Sequence, residues 1–144
     1  MTIRYSALIL FIFVILGCSS NEGTHGVIIP EQKAQKSGLL GPFWVPTETD
    51  VARLEEVMSK IFKQSKNAQY QQIGLSLNSY KRQYVGVIRS GKRYIHVNCF
   101  CGEIRHQNWQ IDYVVVKDGG SCYFNFDYDP ASKTITDIFI NGEA

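Results

Sequence analysis

"YVGVIRSGKRYIHVNCFC", residues 84–101, decides how the fold is read. Apolar and polar side chains alternate on both sides of Ser90-Gly91-Lys92, the pattern of two strands joined by a tight turn. In the second strand Ile95, Val97, Cys99 and Cys101 share one face, while Tyr94, His96, Asn98 and Phe100 share the other. Successive strand side chains point to opposite faces, so the first set is expected to look into a core.

The period of two persists downstream. Trp109, Ile111, Tyr113 and Val115 alternate with Gln110, Asp112 and Val114 and read as a strand. "KDGGS" (117–121) turns the chain into "CYFNFDYD" (122–129), where Cys122, Phe124, Phe126 and Tyr128 oppose Tyr123, Asn125, Asp127 and Asp129. Asp129-Pro130-Ala131-Ser132 reads as another turn and "TITDIFI" (134–140) as the last strand. Upstream, Ile73, Leu75 and Leu77 alternate with Gly74, Ser76 and Asn78, as a first strand or an extended lead-in.

"TETDVARLEEVMSKIFKQ" (47–64) has a different period. Thr47 suits an N-cap, and Glu48 and Asp50 suit the positive helix end. Val51, Leu54, Val57, Met58, Ile61 and Phe62 recur on one stripe, with Arg53, Glu55, Glu56, Lys60 and Lys63 opposite. The expected fold is α+β: one N-terminal amphipathic helix packed on a four- to five-stranded antiparallel sheet. Cystatin-like and NTF2-like sheets curl around a helix in this order, an analogy of fold that carries no function.

The start of the chain reads as a processing segment. Arg4 is its one charge, and residues 7–16 run apolar without a break. That is short of the roughly 18 residues a spanning helix needs and suits a signal-peptide core. The run ends in Ile15-Leu16-Gly17-Cys18, which resembles the lipobox of bacterial lipoproteins. The resemblance implies cleavage before Cys18, lipid on its thiol and acylation of the new amino terminus. Several acyl chains, each methylene contributing about 0.8 kcal/mol, hold a protein on a membrane far more firmly than one. Ser19 after the cysteine implies, by the same resemblance, the outer membrane facing the periplasm. The expected organisation is a signal peptide at 1–17, a lipidated Cys18 with a flexible tether to residue 41, and one domain over 42–144.

Several stretches resemble a family of small, uncharacterised bacterial secreted or lipid-anchored proteins. They are "FWVPTETDV" (43–51), "YKRQYVG" (80–86), "GKRYIHVNCFC" (91–101), "DGGSCYFNFDYD" (118–129) and the terminal "INGEA" (140–144). The resemblance covers Pro42 to Ala144 and implies no particular chemistry. With Cys18 lipidated, Cys99, Cys101 and Cys122 remain, an odd number for an oxidising compartment. The family pattern implies a Cys101–Cys122 disulfide and leaves Cys99 as the odd thiol. A simple meander sets Cys101 and Cys122 at opposite ends of the sheet, beyond the roughly 7 Å a disulfide tolerates. Either the connection from Gly102 to Asn108 crosses the sheet, or both are buried thiols.

Charge and motifs narrow the function classes. Fifteen basic and thirteen acidic residues give +2, and removing Arg4 leaves fourteen against thirteen, a near-balance that argues against a nucleic-acid partner. Eight basic residues and no acid lie between Val57 and Gly102, whereas seven acids face three bases from Glu103 onward. Lys81, Arg82, Arg89, Lys92 and Arg93 are therefore the expected basic surface for an anionic envelope or protein partner. His96, Cys99, Cys101, His106 and Cys122 have soft-ligand character, but His96 and Cys99 point to opposite faces, so no metal is expected. Asn125, Asp127, Asp129 and Asp112 are expected on a solvated sheet face, with His96 on the surface. No G-x-S-x-G, H-E-x-x-H, C-x-x-C or P-loop pattern occurs. The reading is a lipid-anchored, non-enzymatic binding or inhibitor-type module with no catalytic residues and no cofactor. The alternative is a small envelope hydrolase or thiol-dependent enzyme using Cys99, Cys101 or the Asp127/Asp129 face.

Overall fold

The central hairpin of the computed structural model is β3 (Lys81–Arg89) and β4 (Lys92–Phe100), antiparallel with Arg89 opposite Lys92. Ser90 and Gly91 both have positive φ, 49° and 77°, the backbone a two-residue hairpin turn needs to follow the strand twist. β5 (Tyr123–Asp129) pairs with β4, and β6 (Thr134–Ile140) with β5. β1 (Gly26–Ile28) adds parallel to the first half of β3's other edge, and β2 (Phe43–Trp44) antiparallel to its second half. The result is α+β: a mostly antiparallel, open sheet of six strands with helices α1 (Glu31–Lys36), α2 (Glu48–Lys63) and α3 (Ala68–Leu75). The structure describes residues 25–105 and 108–142. The signal segment, Cys18, His106 and the final Glu143-Ala144 lie outside them.

α2 forms where its pattern places it. The Thr47 hydroxyl accepts from the Asp50 amide while the Asp50 carboxylate accepts from Thr47, a reciprocal cap on the first turn. Leu54, Met58 and Phe62, spaced at four residues, are buried against Ile95, Val97, Cys99, Phe124, Phe126 and Tyr128. Ile61, on the edge of that stripe, is instead exposed. The helix is not the N-terminal element, because β1, α1 and β2 precede it. Residues 26–36, expected as tether, supply a strand and a helix; Ile29, between the two, and Ala34 of the helix are buried with Val85 and Val87 in a second core on the opposite sheet face.

Two expected strands are absent. Residues 73–77 end a helix and enter a short 3₁₀ turn, so that Ile73 and Leu77, four apart, both reach the core. Residues 109–115 form a turn and an extended segment with no strand pairing, lying over the second sheet face. This missing strand removes the geometric objection to the disulfide. β4 and β5 are direct neighbours with Phe100 opposite Tyr123, so Cys101 and Cys122 meet at the same sheet end, Cα atoms 5.1 Å apart, and are bonded. Cys101 is exposed and Cys122 half-buried, not core-facing as the strand parity implies.

Candidate functional site

The sheet face expected to be solvated is covered around His96 and Asp127, where polar residues form a connected row, while Asp129 stays partly exposed to solvent and accepts from the Ala131 and Ser132 amides of its own turn. His96 and Asp127 are cross-strand partners of β4 and β5. The Asp127 carboxylate is 2.8 Å from His96 Nδ1 through one oxygen and 2.8 Å from Arg89 Nε through the other. A carboxylate only accepts, so Nδ1 carries the proton, and Nε2 accepts from the Tyr113 hydroxyl at 3.0 Å when the ring is neutral. Burial alone would raise the Asp127 carboxyl, but hydrogen bonding and charge from His96 and Arg89 outweigh it and hold it below the usual range. His96 and Asp127 are both buried, a correction to the solvated-face reading; the covering segment, 108–116, is what the strand reading hid.

Gln83 and Asn98 bind that segment to the sheet. Gln83 is fully buried; its amide donates to the carbonyls of Trp109 and Asp112 at 2.6 and 2.8 Å and accepts from the Val114 amide and Asn98. Asn98 also donates to the Val114 carbonyl. Lys33 of α1 closes the row on Asp112 at 2.6 Å. The side-chain amides do the work a neighbouring strand would do, satisfying backbone groups that burial would otherwise leave costly. The hydroxyl–imidazole–carboxylate order of Tyr113, His96 and Asp127 is the order of a nucleophile–base relay. Burial, with Asp127 next, pushes the Tyr113 phenol up, away from what a nucleophile needs.

On the other face, Glu55 of α2 accepts from Arg82 Nε at 2.7 Å and from the Tyr84 hydroxyl. Arg82 also donates to the carbonyls of Leu77 and Tyr80, tying the 3₁₀ turn to the hairpin. Arg82 is 4% exposed, so it cannot belong to the expected basic surface. The remaining members separate. Lys81 lies over the Trp109 ring at one end of the hairpin, and Arg89, Lys92 and Arg93 sit around the turn, about 25 Å away along the strand. Arg89 is held by Asp127, and Arg93 stacks over Trp44 at 5.2 Å.

Cys99 is buried in the main core, and burial pushes its thiol far up. Among the described residues no group of three His, Cys, Asp or Glu side chains is placed to hold a metal, and no helix is long and apolar enough to cross a membrane.

An opening of about 440 Å³ lies where β1 and β2 share the edge of β3. The Ile29 amide donates to Tyr84 and the Trp44 pair ends at Gly86, after which both chains leave the edge. Pro30 follows the first of these points directly and Pro46 the second after one residue, Val45; neither proline has an N–H to continue a ladder. Residues 28–32 form one wall of the groove, 43–46 the other, and Val85 with Gly86 the floor. Gly86 is required there: a Cβ would stand 2.1 Å from the Trp44 carbonyl oxygen. Sequence reading missed this groove, although the two prolines carry its signal.

No protein-family model matches the chain, and no curated protein or solved structure matches it.

Proposed function

We propose that this chain is a lipid-anchored protein of the cell envelope, tethered through Cys18, that acts as a non-enzymatic binding module. The observation that carries the binding half is the division of chemistry between its two regions. The buried polar groups of the sheet are closed on one another, with no buried side-chain nitrogen or oxygen left without a partner among the described residues, while the opening of about 440 Å³ at the β3 edge is lined mainly by apolar side chains. A thiol enzyme would need an accessible thiolate; Cys99 is buried and Cys101 and Cys122 are bonded. A hydrolase would have to work through Tyr113, His96 and Asp127, which instead fasten a loop.

The envelope half rests on Ile15-Leu16-Gly17-Cys18 and on the surface disulfide, which suits an oxidising compartment. Arg89, Lys92 and Arg93 at the hairpin turn remain as the cationic surface suited to anionic envelope material, reduced from the five residues expected. Metabolic labelling with radioactive palmitate, followed by fractionation, tests this reading. The wild type is expected to be labelled and membrane-bound, and Cys18→Ser unlabelled and released. An unlabelled wild type, or labelled Cys18→Ser, would contradict it.

A further inference from the structure

The groove at the β3 edge has a polarity that selects a ligand class. The side chains of its walls at 28–30 and 43–46 are hydrocarbon and aromatic, and the one polar atom of the Trp44 side chain, Nε1, is spent on the Tyr94 carbonyl at 3.0 Å. Side chains with free polar groups line only one end, where α1 begins: Glu31 and Gln32. Among the described residues no Lys, Arg or His lines the groove. The volume of about 440 Å³ falls within the roughly 300–1,000 Å³ of small-molecule sites, which are mostly apolar with a few orienting polar groups. An apolar body with one acidic, hydrogen-bonding end matches a hydrocarbon chain with an uncharged, hydroxyl-bearing head. The Glu31 carboxylate accepts from a hydroxyl and repels a carboxylate or phosphate head.

The position of the groove supplies the source. β1 starts at Gly26, eight residues after Cys18, a reach of at most about 28 Å for extended chain. One groove wall continues directly from that strand and begins at Ile28, ten residues after Cys18, so an anchored domain holds the start of the groove within about 35 Å of the bilayer. Val45, on the opposite wall, is 80% exposed and presents an aliphatic side chain at the mouth.

We propose that this groove binds a single-chain, uncharged lipid of the monoacylglycerol type, drawn from the membrane to which the domain is tethered, with its acyl chain between residues 28–30 and 43–46 and its head at Glu31 and Gln32. The inference deepens the binding-module reading and takes the membrane source from the anchor.

The purified full-length chain is offered a photoactivatable monoacylglycerol in micelles, and crosslinks are mapped by mass spectrometry. Labelling is expected on residues 28–32 and 43–46, displaced by excess unlabelled monoacylglycerol about tenfold more effectively than by the matching fatty acid at pH 8.5. Glu31→Gln is expected to remove most of that preference. Val45→Asp, at an exposed position, is expected to lower labelling about tenfold by placing a charge in an apolar mouth, with circular dichroism unchanged. Labelling spread over exposed apolar residues such as Leu75 and Phe139 would overturn the proposal. So would equal displacement by the fatty acid, a preference unmoved by Glu31→Gln, or full labelling of Val45→Asp. Because the probe is presented in micelles, the groove is read whether or not Cys18 carries lipid; failure of palmitate labelling would remove the anchor alone.

Discussion

Asp127 and His96 face each other across β4 and β5 with 2.8 Å between carboxylate and imidazole, and through Tyr113 and Arg89 this pair joins the covering loop to the hairpin turn. Asp127→Asn leaves the arginine and imidazole without their charge partner. Breaking a buried pair typically costs 3–5 kcal/mol, and the partial exposure of Arg89 places the expected loss near the lower end, about 3 kcal/mol in urea unfolding.

The same carboxylate sets an acid limb. Its folded pKa is depressed, so its stabilisation is present above the unfolded value of about 3.9 and is lost as pH falls through the folded value. Asp50, whose carboxylate is held down by hydrogen bonds from Thr47, contributes to the same limb. Urea midpoints are expected to fall below about pH 4, with a shallower fall in Asp127→Asn. An unchanged slope in that variant would contradict the assignment.

The Cys101–Cys122 bond spans a separation of 21 residues that contains the covering loop. Closing a loop of this size stabilises by about 3 kcal/mol in the chain-entropy treatment. Cys101→Ser with Cys122→Ser is expected to lose this amount, and Cys99 in the native wild type should react with Ellman's reagent only after denaturation. Rapid reaction of Cys101 or Cys122 in the native, unreduced domain would contradict the bond, and rapid reaction of Cys99 its burial.

Gln83→Leu keeps the volume and removes the amide that binds the Trp109 and Asp112 carbonyls and the Val114 amide. Each buried group left unpaired costs about 1–3 kcal/mol. The loop is expected to loosen before the sheet does, giving faster proteolytic cleavage within 102–118 and earlier amide exchange at Val114. Equal cleavage rates would show that the amide does not hold the loop.

Gly86→Ala drives a methyl group into the Trp44 backbone. β2 is expected to be displaced from β3, at a cost of about 1–3 kcal/mol for overpacking, with a red shift of Trp44 fluorescence read in a Trp109→Phe background.

The parts of this fold that were legible in the sequence are those whose pattern and partner are local. Thr47 and Asp50 satisfy each other within one turn, Leu54, Met58 and Phe62 mark a stripe, and Ser90-Gly91 forces the β3–β4 register. Residues 109–115 alternate as a strand does, yet their backbone partners are side-chain amides at 83 and 98, contacts that periodicity cannot display. β1 spans three residues and β2 two, too short for a period to emerge, so residues 26–36 read as tether and Phe43-Trp44 only as the opening of the domain. His96 and Asp127 look like surface residues because the segment covering them alternates like one more strand of the sheet, a reading that leaves their face open. Arg82 reads as surface charge because its partner, Glu55, is 27 residues away on another element.

Intact mass spectrometry of the unreduced protein extracted from membranes tests the anchored reading most directly. The account predicts a chain of residues 18–144 carrying a diacylglyceryl group and an amide-linked acyl chain at Cys18, with one disulfide and one thiol exposed only on denaturation. A lipid-free chain that still begins at Met1 would contradict it.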